Sequence, residues 1–109
     1  MYEVSVDELQ RTIKIYDTSK GESAENKTRY STSMILTDLA LGECRIHFAQ
    51  GRLNEHINKL VFLTVKQLGY KQAQLEVPTG TPASRMAEYQ YTRNGLDRYI
   101  VRLDSGVDE

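Results

Sequence analysis

The chain has 109 residues, 39% of them hydrophobic and 27% charged, with a net charge of −1. That length suits one domain with one modest core, and near neutrality excludes a bulk field drawing the protein to nucleic acid or anionic lipid. The single cysteine, Cys44, excludes an intrachain disulfide and a cysteine-built metal site; a free cysteine is usually a small, buried, inert residue.

At the N-terminus, Met1-Tyr2-Glu3-Val4 lacks the basic-then-apolar order of a signal peptide. No apolar run is long enough to span a membrane as a helix, so a reducing cytoplasm is the expected compartment. Ser5 and Glu8 have capping-box spacing, and Val6, Leu9, Ile13 and Tyr16 recur at helical spacing. These predict a helix from Val6 to Tyr16, preceded by a short strand at Tyr2–Val4. The competing assignment makes Thr12–Tyr16 a strand, because Thr12, Ile13, Ile15 and Tyr16 are strand formers. Residues 17–28 hold no large apolar side chain and are expected to form a mobile loop.

Tyr30–Leu36 is rich in strand formers. Glu43–Phe48 alternates: Cys44, Ile46 and Phe48 face one way, and Glu43, Arg45 and His47 face the other. The strongest helical pattern runs from Asn54 to Leu68, with Gly69 suited to the left-handed position after its end. Its apolar face is wide, which predicts burial on more than one side. Ala73, Leu75 and Val77 mark another strand, ended by Pro78-Thr79-Gly80. Thr81-Pro82 reads as a helix start and predicts a short helix over Ala83–Glu88. Tyr89–Thr92 and Asp97–Leu103 then form a hairpin through Asn94-Gly95, a type I′ signal. Residues 105–109 are an acidic tail expected to fray. The expected fold is α+β: a single domain with a mixed, mostly antiparallel sheet flanked by helices and a C-terminal β-hairpin.

From Glu43 onward, more than half the chain, this layout resembles the GNAT superfamily of N-acetyltransferases. The residues carrying the likeness are the strand Glu43–Phe48, the turn Gln50-Gly51-Arg52-Leu53-Asn54-Glu55, the helix end Leu68-Gly69-Tyr70, the strand Leu75-Glu76-Val77, and Thr81-Pro82-Ala83-Ser84. The resemblance implies an acetyltransferase-like layout, in which two central parallel strands splay apart. It also implies an acetyl-CoA pyrophosphate seated at the start of the long helix. Gln50, Gly51 and Arg52 would touch that pyrophosphate. Tyr89 would be the general acid, with Glu43 or Glu76 as analogues of the base. Family members place two small residues in the cofactor turn, so that bare amides and the helix dipole meet the phosphates. Here Leu53 and Glu55 stand at those positions. A branched side chain blocks close approach, and a carboxylate repels a pyrophosphate by about 1 kcal/mol at 4 Å in water and about 4 at intermediate dielectric. Tyr89 falls one residue from the usual offset, where Glu88 stands.

No other motif carries chemistry. His47 and His56 have no metal-ligand spacing, so no metal site is expected. Tyr89, Tyr91 and Tyr99 would gather on the terminal hairpin, where aromatic residues suit a protein interface. The residues point first to a degenerate acetyltransferase-like domain, without cofactor, that binds a protein partner or a second copy. Compact members of this layout occur among phage-encoded proteins, which brings in a host-interaction or virion role. The second possibility is an active acetyl-CoA-dependent N-acyltransferase with an atypical cofactor turn. The third is a ferredoxin-like module binding protein or RNA, although the scattered Lys and Arg argue against a nucleic-acid surface.

Overall fold

The computed structural model describes residues 1–26, 29–81 and 87–103. Among them are seven strands and one α-helix: β1 Tyr2–Asp7, β2 Thr12–Asp17, β3 Thr32–Asp38, β4 Glu43–Gly51, α1 Glu55–Gln67, β5 Gln72–Pro78, β6 Ala87–Arg93 and β7 Leu96–Arg102. The strands form one sheet in the order β1-β2-β3-β4-β5-β7-β6. Every neighbouring pair is antiparallel except β4–β5. The fold is therefore α+β with a mixed, mostly antiparallel sheet. Among the described residues a single α-helix packs on one face, where the sequence predicts more than one flanking helix.

The N-terminal helix expected over Val6–Tyr16 is instead the β1–β2 hairpin, with Val4 opposite Ile15 and Val6 opposite Ile13. The apolar residues satisfy both periods, and pairing with β3 decides for the strand. The Ser5–Glu8 capping box does not form. Asp7 accepts from the amides of Leu9 and Gln10, each at 3.0 Å, and Arg11 takes a positive φ to close the turn. Leu9, assigned to an apolar helix face, is 96% exposed. After β2 the chain makes a short 3-10 turn over Thr18–Lys20, within the stretch read as loop.

In β4 the register against β3 steps from Met34↔Phe48 to Ser33↔Gln50, which leaves Ala49 as a bulge. The strand then runs on to Gly51, beyond its expected end at Phe48. The long helix is found nearly where expected. Asn54 caps it by accepting from the Ile57 amide at 2.8 Å, and Gly69 has a φ of 101° just past its end. Ile57, Val61, Phe62 and Val65 are fully buried against Ile13, Ile15, Met34, Leu36, Cys44, Ile46 and Leu75. Leu60 and Leu63 are only half-buried, so the helix is covered on one side rather than on several.

Asn94 and Gly95 both have positive φ, as a type I′ turn requires. The short helix expected over Ala83–Glu88 is corrected at its end, where Ala87 and Glu88 open β6. Its earlier residues, Pro82, Ala83 and Ser84 among them, lie outside the described residues, as does the 105–109 tail. Among the described residues no helix is long and apolar enough to cross a membrane.

Candidate functional site

The parallel pair divides the sheet. β4 and β5 pair from Glu43↔Gln72 to His47↔Glu76 and no further. Beyond that point the end of β4 stays with β3, and Val77 and Pro78 stay with β7. The two central strands thus part beside the start of α1.

The turn at this fork holds the residues expected to meet a cofactor, and the chain itself occupies them. Gln50 donates to the Tyr30 hydroxyl at 2.6 Å. Gly51 has a φ of 108°, and a Cβ there would stand 2.0 Å from the Ser31 carbonyl oxygen. Its close approach is to the neighbouring strand. The Arg52 amide donates to Ser31 at 3.1 Å, and its guanidinium reaches Asp17 at 3.4 Å. Asp17 is held below the ordinary aspartate range, first by the hydrogen bond from the Ser19 hydroxyl. Glu55 stands in the first turn of α1.

A second cluster, not singled out by sequence, lies on the sheet face away from α1. Here Arg45, His47, Gln74, Glu76 and Arg98 alternate with the buried core residues of β4, β5 and β7. Glu76 lies directly opposite both His47 and Arg98. His47 Nδ1 is 3.1 Å from its Oε1, Arg45 Nε is 3.8 Å away, and Arg98 donates to Oε2 in a short ion pair. Burial pushes the Glu76 carboxyl up, but the hydrogen bonds from Arg98 and His47 prevail and hold it below the ordinary glutamate value. The alternation signalled that these residues face outward. It could not signal that two guanidinium groups and an imidazole would converge on one acid, because that depends on register.

The terminal tyrosines are not one patch. The β6 register steps from Tyr89↔Tyr99 to Tyr91↔Arg98, with Gln90 as a bulge. Tyr89 therefore lies on the α1 side, edge-to-face with the largely buried Tyr99 at 5.7 Å. Tyr91 lies on the other face, under the Arg98 guanidinium. The Tyr89 hydroxyl is 2.7 Å from Thr92 Oγ1. The candidate acid Tyr89 and the candidate bases Glu43 and Glu76 thus sit on opposite faces of the sheet. Half-buried Leu60 and Leu63, with Glu55, His56 and Lys59, line an open groove along α1. Among the described residues no cluster of His, Cys, Asp or Glu is arranged to hold a metal ion.

Comparison with protein-family models, with curated proteins and with solved structures gives no match.

Proposed function

We propose that this chain is an acetyltransferase-like domain that works by binding a protein partner rather than by acyl transfer. Two features support the acetyltransferase-like layout: a lone helical crossover between the parallel strands β4 and β5, and the parting of those strands beyond His47 and Glu76. The same parting favours that layout over a ferredoxin-like one.

The observation that carries the non-enzymatic reading is the occupied mouth of α1. A pyrophosphate needs free amides and a free cation at a helix start. Here Arg52 is turned to Asp17, its amide is bonded to Ser31, and Asn54 holds the Ile57 amide. Gln50 is turned to Tyr30. Separation of Tyr89 from Glu43 and Glu76 across the sheet adds to this, since an acid and a base must reach one substrate. The face bearing Arg45, His47, Arg98 and Tyr91 carries no α-helix of the described residues and offers a partner a broad polar surface with aromatic character.

Calorimetric titration with acetyl-CoA tests the proposal. No heat at concentrations up to about 1 mM is expected, a level that corresponds to binding weaker than about 4 kcal/mol. Micromolar binding that disappears in Arg52→Ala would instead establish an acyltransferase with an unusual cofactor turn.

A further inference from the structure

The sheet has two edges, and the chain treats them differently. At β1, Glu3 accepts from the Ala24 amide at 3.0 Å, and most of the strand is half-buried. At β6, every residue from Glu88 to Arg93 is exposed. Two tyrosines stand on this edge, Tyr89 at 55% exposure on the α1 side and Tyr91 at 42% on the other. An uncovered edge strand is a template for another strand. Natural edges are defended by charge and by bulges, and β6 has both: Glu88, Arg93 and the bulge at Gln90.

We infer that these features specify a second copy of the same chain, paired antiparallel along β6 about a two-fold axis between Gln90 and Tyr91. In that register Glu88 faces Arg93 of the second copy, twice per dimer, and Tyr89 faces Thr92. The side-chain directions agree. Glu88 and Arg93 lie opposite Ile100 and Leu96, on the face away from α1, while Tyr89 and Thr92 lie opposite Tyr99 and Asp97, on the α1 face. A shift of one residue either way sets side chains of one face against those of the other. The bulge would interrupt pairing with an ordinary strand, because it inserts one unmatched residue. With the axis between Gln90 and Tyr91, the unmatched Gln90 of each copy faces Tyr91 of the other, and the ladder stays in step on both sides. A closed two-fold pair also uses up the edge, so no open fibre results. The inference deepens the partner-binding reading, yet it does not depend on the occupied mouth of α1. Acetyl-CoA binding would overturn the one without touching the other.

Sedimentation of the whole chain from about 10 µM to about 1 mM tests it. The wild type is expected to pass from monomer to dimer across that range. Glu88→Arg and Arg93→Glu each set like charges opposite one another and should weaken the dimer by at least about tenfold. The double variant Glu88→Arg/Arg93→Glu should restore it, and so should an equimolar mixture of the two single variants. Circular dichroism of each variant verifies that the monomer is folded. A wild type that stays monomeric throughout overturns the inference. So do single variants that dimerise as well as the wild type, or a swapped pair that fails to recover.

Discussion

Glu76 illustrates how the neighbours of one residue decide its role. Taken as one outward position of an alternating strand, it is a solvated acid; in the folded sheet it is the hub for Arg45, His47 and Arg98. Replacing it with glutamine leaves two guanidinium groups short of a counter-charge and should cost about 2 kcal/mol at neutral pH. The pH dependence has a definite sign. Because its folded value lies below the ordinary 4.5, Glu76 stabilises the protein fully above that value and loses its contribution as pH falls through the depressed one. Urea titrations at a series of pH values should show the wild type weakening on acidification, and Glu76→Gln should weaken less steeply. Equal slopes would show that the acid is not held by its cations. Arg45 and His47 were legible as outward residues, but their convergence was not, since β5 and β7 supply the other half of the site from later in the chain.

At the scale of elements, α1 was readable almost to the residue because cap, period and terminal glycine agree. At the N-terminus the competing assignment is the correct one: Thr12–Tyr16 lies in β2 and Tyr2–Val4 in β1. The helix from Val6 to Tyr16 does not form, although Val6, Ile13 and Tyr16 fit a helical stripe as well as Val4, Val6, Ile13 and Ile15 fit two strands. Asp7 serves a turn as readily as a helix start. The end of β4 was hidden for another reason: a bulge changes which face each later residue meets, and nothing in Phe48-Ala49-Gln50-Gly51 announces it. That segment depends on Gly51. A methyl group there would collide with the Ser31 carbonyl, at a φ that L-residues rarely adopt. Gly51→Ala should destabilise the protein by about 3 kcal/mol or more, read as a lowered midpoint in thermal unfolding. A loss under about 0.5 kcal/mol, the usual scale for a surface site, would mean that β3 and β4 do not approach so closely.

Across the whole molecule, Cys44 reports on the integrity of the sheet. It is fully buried in β4, between Asp38 of β3 and Ala73 of β5. Burial, with the nearby Asp38 charge, pushes its thiol up to about 12. Reaction therefore has to await separation of the central strands. Labelling by a thiol reagent should be slower than in the urea-unfolded chain by about a thousandfold or more, in keeping with ordinary domain stability. Labelling at the unfolded rate would remove β4 from the centre. This central place was only partly legible: alternation put Cys44 on the buried face, but the strand order was not readable from local pattern.

The β4–β5 ladder also sets the tempo of assembly. The β1–β2, β3–β4 and β6–β7 hairpins each close over a short turn. By contrast, β4 meets β5 only after the chain has travelled the whole of α1, and only five residue pairs then hold the two together. Loop entropy must be overcome before those few pairs offer any return, so joining the two halves is expected to be the slow event in refolding, read as a slower refolding phase when the β4–β5 pairs are weakened. Early formation of α1 shortens that search, which makes Asn54 a determinant of speed as much as of stability.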